Sequence, residues 1–388
     1  MTESKPLTCK RGRFDIPDSA HYLNCAYMSP LPRRVMKAGI RGIRSKALPS
    51  GIGPADFFEG SDQIRASFAN LVGAPRPDSV AIIPAASYAI ATAVANLDIR
   101  AEHNVVLVSE QFPGNVYSWR ELARRTGAEL RTVEPPDGTE RGAAWNVRLL
   151  ESIDTKTAAV TLGAVHWTDG TVFDLPRIAE RAREVGAALI VDGTQSVGAQ
   201  PFDVQVVQPD MLVAAAYKWL LGPYSLGCAY YGPRFADGRP LEETWISRRG
   251  SENFSGLVDY VDEYRPGAIR FDVGEPSNFA LTPMLVRSLE IVLKWTPERI
   301  TDYVRAISAP LIAAARELGY GVEADDFRSG HLFGLRVPPR VDLARVKALC
   351  AERDVFVSQR GSALRISPHA YNTADDIEAL IAVLRDAG

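Results

Sequence analysis

At 388 residues, with 46% hydrophobic and 23% charged side chains, the chain has the composition of an ordinary globular protein with room for two domains. A formal net charge of -3 and a pI near 6.0 leave it without the basic footprint that nucleic acid or an anionic membrane surface requires, so a small molecule is the expected partner. Cys9, Cys25, Cys228 and Cys350 are scattered without CxxC or Cys/His clustering, which argues against a metal site or a disulfide framework and for reduced thiols in a cytoplasmic protein.

The N-terminus has basic residues but no apolar core for a secretory signal, and residues 1–30 read as a polar leader ending in HYLNCAYMSPLP. Helical periodicity follows over 34–46 and 54–71. The longest uncharged run, 80–97, is broken by Pro84 and reads as a strand, a turn and a helix, not as a membrane span. NVVLVSE, SWRELARRTGA and ELRTVEP continue as strand, helix, strand. AAVTLGAVHWTDG, LPRIAERAREVGA and ALIVDGTQ repeat the unit. This alternation predicts an α/β fold with a mainly parallel sheet flanked by helices. After about Tyr231 it stops, and a polar, turn-rich excursion runs to the GEPSN segment, over the surface or across a subunit interface. Helices at 282–294 and 301–318, strand HLFGLRV, helix DLARVKALCAERD, strands VFVSQ and ALRIS, and a last helix from TADDIEAL complete a smaller α+β domain. The expected division is a leader at 1–30, a large domain at 31–285 and a small C-terminal domain at 286–388.

Two stretches carry the chemistry. ALIVDGTQ is an apolar strand that ends in Asp192, and MLVAAAYKWLLGPYSLG is another that hands Tyr217 and Lys218 to a Gly/Pro-rich turn. Together they put a carboxylate and an amine at one edge of a parallel sheet, where open α/β folds bind ligands. A cofactor with a basic ring nitrogen and an aldehyde uses both groups, and pyridoxal 5'-phosphate is that cofactor. Apolar neighbours enclose Lys218, and desolvation makes such an amine nucleophilic. Asp192 would keep the pyridine nitrogen protonated. The turn Ala85, Ala86, Ser87 opens a helix whose free backbone donors suit a phosphate. Arg365, on a strand, suits a carboxylate as a bidentate fork.

IVDGTQSVGAQPFDV followed by AAAYKWLLGPYSLG resembles the signature of the class V branch of fold-type I pyridoxal-phosphate enzymes, which includes aminotransferases, cysteine desulfurases, kynureninases and isopenicillin N epimerases. The resemblance implies Lys218 as the Schiff-base lysine, Asp192 as the pyridine partner and Gln195 as a hydrogen-bond partner of the phenolic oxygen. It brings Ala86 and Ser87 to the phosphate, with Tyr217 matching a kynureninase tyrosine that also contacts it. EQFPGNVYSW resembles the kynureninase segment whose phenylalanine stacks on the ring, here Phe112. Arg365, before a proline and a Tyr-Asn pair, takes the place of the arginine that binds the substrate α-carboxylate. Trp167 lines the pocket or its rim, and Asn24 reads equally as a substrate contact or a turn residue. Trp245 and the Ser277, Asn278 pair resemble positions that reach the cofactor from a neighbouring subunit, which implies a homodimer with shared sites; the segment between lysine and asparagine departs from kynureninases in length.

A desulfurase needs a cysteine thiolate in the loop before the arginine strand, and VSQRGSALRIS has none. Cys350 falls on a helix with an apolar face. The expected activity is therefore class V aminotransferase-like, on an amino acid. The alternatives are a kynureninase-like hydrolase, a C–S or C–C lyase, or an amino-acid epimerase. A non-enzymatic binding protein on the same scaffold is a further class, opposed by the joint presence of Lys218, Asp192 and Arg365.

Overall fold

Short runs of Val, Ile, Leu and Ala, buried on both faces, make the central strands. In the computed structural model, which describes residues 5–388, these are β1 (Val80–Ile83), β2 (Asn104–Val108), β3 (Glu129–Val133), β4 (Thr157–Gly163), β5 (Ala188–Asp192), β6 (Met211–Ala215) and β7 (Gly227–Tyr231). They form one seven-stranded sheet in the order β1-β7-β6-β5-β4-β2-β3. The strands from β2 to β6 pair in parallel, and β7 runs antiparallel to both β6 and β1. Period-two alternation sends Val106, Val160, Leu189, Val191 and Leu212 into one apolar layer, and Val105, Ala159, Ile190, Met211 and Val213 into the other. The first four residues of the expected leader lie outside the described residues.

The longer helices are α1 (Arg33–Lys46), α2 (Glu59–Leu71), α3 (Ala86–Ala95), α4 (Tyr117–Thr126), α5 (Gly142–Ser152), α6 (Leu175–Val185), α7 (Leu281–Trp295), α8 (Pro297–Glu317), α9 (Leu343–Glu352) and α10 (Ala374–Ala387). Two differ from the sequence expectation. The helix expected from 54 begins at Glu59, because Pro54–Phe57 forms a separate tight turn ahead of it. The sequence pattern did not reveal α5. Its buried side chains, Trp145, Asn146 and Leu149, are split by polar residues, and the Trp145 indole anchors it by donating to the Val133 carbonyl at 2.9 Å.

A second sheet, β8 (Phe333–Arg336), β9 (Ser358–Arg360) and β10 (Ala363–Ile366), is antiparallel in the order β9-β10-β8. Phe333, Leu335, Leu364 and Ile366 face a third apolar cluster with α9 and α10. Residue 286 lies inside α7, whose Leu285, Leu289 and Val292 pack into the first layer of the large sheet. In α8, Ile300 and Val304 belong to that layer while Leu311 and Ala315 belong to the third cluster, so this helix passes from one core to the other. The leader also touches both. Phe14 and Cys25 enter the first layer and Leu23 the third, and His21–Tyr22 pairs with Val355–Phe356. Among the described residues, no helix is long and apolar enough to cross a membrane.

One buried ion pair closes the large sheet's edge. Arg65 of α2 donates to the Val80 carbonyl at 2.6 Å and forks onto both oxygens of Asp272, whose Oδ1 also accepts from the Ile82 amide at 2.8 Å. Removing one member strands a charge in the interior. Asp272→Ala is expected to cost about 3–5 kcal/mol, whereas the paired replacement Arg65→Met with Asp272→Leu costs far less. Urea unfolding of both variants checks this, and a single variant as stable as the parent protein would contradict it.

Candidate active site

Because β1 and β6 both run antiparallel to β7, the ends of β1, β5 and β6 emerge at one edge of the sheet. There they enclose a cavity of about 280 Å³. Asp192 and Lys218 face it from β5 and from the turn after β6, and Ala86 and Ser87 face it from the start of α3. Phe112, Trp167, Gln195 and Tyr217 complete the lining expected from the sequence.

Lys218 is only 5% exposed. Burial pushes its amine down to about 8, with the Arg365 and Arg360 charges acting in the same direction and Asp192 opposing them. About one amine in ten is then neutral at pH 7. The amine lies 5.2 Å from the Phe112 ring centre and 5.4 Å from that of Tyr217. Leu221 and Ser225, both at positive φ, shape the turn that follows. Asp192 accepts from the Thr194 amide at 3.0 Å through Oδ1, which leaves Oδ2 free toward the cavity. Thr194 in turn accepts from the Ala215 amide at 3.1 Å, tying the end of β5 to that of β6.

The Gln195 amide has a fixed orientation. Its Oε1 accepts from the Trp219 indole, a donor only, at 2.9 Å, and its Nε2 donates to the Ala26 carbonyl, an acceptor only, at 3.1 Å. One N–H on Nε2 remains for the cavity. From the small sheet's side, His331 Nε2 donates to the Gln195 carbonyl at 2.6 Å, and burial holds its ring neutral by pushing it down to about 4. Trp219, Thr194 and His331 escaped the sequence reading. Trp219 and Thr194 sit beside motif residues, which is a usable signal, but His331 carried none.

At the start of α3, Ala85 offers no side-chain cap and the Tyr88 amide bonds back to Ala85, so the Ala86 and Ser87 amides have no partner in the helix. Phe112 and Trp167 meet edge to face at 5.4 Å, and the Trp167 indole donates to the Glu110 carbonyl at 2.7 Å. Arg365, on β10 and 1% exposed, donates to the Trp167 carbonyl at 3.0 Å through one nitrogen. Its Nε and Nη2 are buried and have no partner. Burial, then the neighbouring Arg360 charge, pushes this guanidinium down to about 9. Two idle donors on a buried cation make a binding site for an anion.

The remaining expected residues lie elsewhere in the chain. Asn24 is buried away from the cavity, where its Oδ1 accepts from the Ser358 hydroxyl at 2.8 Å and fastens the leader to β9. Trp245 and Asn278 line a separate pocket. Trp245 packs edge on against Phe58 and Phe254, and Asn278 caps α7 by accepting from the Ala280 and Leu281 amides at 3.0 and 2.9 Å. The donors around the cavity fit pyridoxal phosphate: an enclosed amine, a carboxylate with a free oxygen, a helix start with free amides and an aromatic face.

The aminotransferase class-V family model matches residues 22–240. An uncharacterized aminotransferase of Bacillus subtilis, YcbU, is 27% identical over 91% of this chain and 90% of its own length. Isopenicillin N epimerase of Streptomyces clavuligerus is 26% identical over 95% of each. Among solved structures, a C-DES mutant with glycine covalently linked to its pyridoxal-phosphate cofactor superimposes with a TM-score of 0.88 at 20% identity, covering 98% of this chain and 100% of that one. The match along the sequence and the fold shared from end to end agree: the chain belongs to the aminotransferase class-V family, an enzyme family whose members and structural neighbours use pyridoxal phosphate on the fold-type I scaffold.

Proposed function

We propose that the protein is a pyridoxal-phosphate-dependent, class V aminotransferase-like enzyme acting on an amino acid. One observation carries the reading: the buried Lys218 amine shares a cavity with Asp192 and Trp167, and the Arg365 guanidinium, two of its nitrogens without a partner, lies 5.9 Å from the Trp167 ring centre. Ala86 and Ser87 would hold the phosphate, Asp192 the ring nitrogen, Gln195 the phenolic oxygen, Phe112 the ring face and Lys218 the aldehyde carbon. The chemistry the cofactor supplies when bound is an aldehyde that captures amino groups and a ring that accepts electrons from the substrate α-carbon. Arg365 grips the α-carboxylate and so presents the α-carbon to Lys218. The Lys218 amine, partly neutral at pH 7, takes the α-proton on Nζ and returns it. Asp192 presents its free Oδ2 to the ring nitrogen, and Phe112 with Trp167 excludes water from the reacting face.

Sulfur transfer through a cysteine is disfavoured. The turn between β9 and β10 holds Gly361 and Ser362, and the thiol whose charge is coupled to Lys218 and Arg365, that of Cys25, is pushed up to about 12 by burial and stays protonated. Epimerisation is the second reading, favoured by the full-length similarity to isopenicillin N epimerase; it differs in where the proton is returned. Phe112-Pro113 and Tyr217 keep a kynureninase-like hydrolase or lyase in view. Trp245 and Asn278, remote from the cavity of their own chain, would serve a partner's site in a homodimer. The four cysteines are free, in keeping with work in the cytoplasm.

Reconstituted protein is expected to be yellow, and Lys218→Ala to lose the absorption of the lysine adduct; a parent protein that stays colourless with pyridoxal phosphate would sink the cofactor reading. In the apoprotein, adduct formation at Lys218 should rise with pH and level off above about 8, since only the neutral amine reacts. A rise that continues through about 10, as for an ordinary lysine, would count against an enclosed amine. Arg365→Ala is expected to raise KM about ten- to a hundredfold with the cofactor absorption unchanged; an unaltered KM removes the carboxylate role. An amino-acid screen with and without a keto-acid acceptor separates the reactions. Keto-acid formation that needs the acceptor supports transamination, racemisation alone supports epimerisation, and side-chain loss without acceptor supports a lyase or hydrolase.

A further inference from the structure

The face of the small sheet turned away from the third core carries three arginines. Cross-strand register places Arg365 opposite Ser358 and Gly334, and Arg360 opposite Ala363, so Arg360 and Arg365 are diagonal neighbours on one face, with Arg336 also on it. Diagonal neighbours start roughly 7–8 Å apart at the backbone. Arg336 is neutralised inside the protein, since its Nη2 donates to Asp169 Oδ2 at 2.9 Å. The other two are not. Among the described residues, neither Arg360 nor Arg365 forms an ion pair with a carboxylate, and both guanidiniums lie over the Trp167 ring, at 5.1 and 5.9 Å.

Arg360 is not a spare surface cation. Its Nε is buried without a partner, and its one hydrogen bond is local, from Nη1 to the Gln359 carbonyl at 2.7 Å. The nearby acid Glu110, whose carbonyl accepts from the Trp167 indole, directs its carboxylate toward Arg141 at 3.9 Å. Burial lowers the affinity of Arg360 for its proton, and the charge of Arg360 acts in the same direction on Arg365 and Lys218. Two unneutralised cations held over one indole repel each other, and one monocarboxylate relieves only half of that repulsion. A ligand with two negative groups answers both.

We propose that the substrate is an amino acid whose side chain ends in an anionic group, a carboxylate, received by Arg360 while Arg365 takes the α-carboxylate. This rests on the reading of Arg365 given above. Arg360 then sets substrate choice, and Trp167 is the shared platform on which both guanidiniums lie.

The test uses protein loaded with pyridoxal phosphate and two unreactive acids, glutarate and butyrate, whose binding is followed by calorimetry and by the cofactor absorption. Glutarate is expected to bind about tenfold or more tightly than butyrate. Arg360→Gln should erase that advantage and leave butyrate affinity and the absorption of the loaded protein unchanged; Arg360→Lys should restore part of it. In the amino-acid screen, KM for dicarboxylic amino acids should rise in Arg360→Gln while KM for uncharged ones stays level. Equal binding of the two acids by the parent protein, or a glutarate advantage that survives Arg360→Gln, overturns the proposal alone. If neither acid binds to protein that carries the cofactor absorption, the Arg365 anchor falls and the proposal with it, whereas protein that never acquires the absorption fails at the earlier reading. Unchanged thermal unfolding of Arg360→Gln guards against a folding artefact.

Discussion

Burying an amine is the constraint on which this molecule turns. Lys218 sits beyond β6 with Trp219, Leu220 and Leu221 fully buried after it, so its environment opposes charge and keeps part of it nucleophilic at neutral pH. That environment exists only because β5, β6 and β7 are packed on both faces. The antiparallel strand β7, between β1 and β6, has a further consequence: it lets β1 deliver the start of α3 to the same edge as Asp192. A carboxylate, an amine and a set of free amides thus meet without any long loop having to be ordered.

Much of this was legible in the sequence, for a definable reason. Asp192 and Lys218 end apolar strands, and strand ends in an alternating α/β pattern converge on one edge whatever lies between them. The turn at Ala86 and Ser87 and the strand-end Trp167 follow from the same regularity, whereas Phe112 was legible only through the resemblance of EQFPGNVYSW to a kynureninase segment. What was not legible depends on packing between distant segments. Asn24 read equally as a substrate contact or a turn residue, yet it fastens the leader to β9. The orientation of Gln195 is set by Trp219, by the leader's Ala26 and, through its carbonyl, by His331 from the second sheet. No local pattern encodes a contact made over such separations. The helix α5 was hidden differently: Trp145 carries most of its apolar face, and the periodicity around it is too broken to read.

The leader shows how the two cores are kept in register. Leu23 enters one and Cys25 the other, two residues apart where the chain leaves its extended path for a turn over 25–27. Between them Asn24 faces Ser358, and just beyond them the Ala26 carbonyl receives the Gln195 amide. A shift of the small sheet relative to the large one therefore pulls directly on a cavity residue, which ties the strands of Arg360 and Arg365 to Gln195.

The division of labour that results explains why the family's shared motifs leave the reaction and substrate open. The groups proposed to serve the cofactor come from the large sheet's edge, where topology fixes them. The arginines proposed to face the substrate come from one face of the small sheet, whose opposite face is occupied by Phe333, Leu335, Leu364 and Ile366 in the third core. Gly334, opposite Arg365, has to stay small because a Cβ there would meet the Cβ of Asp169 at 2.8 Å, so the anchor's seat is held by sterics. Arg360 lies next to the Gly361–Ser362 turn and is bound by no such limit. Substrate choice can thus vary at the hairpin while the amine, the carboxylate and the phosphate turn remain as the sheet places them.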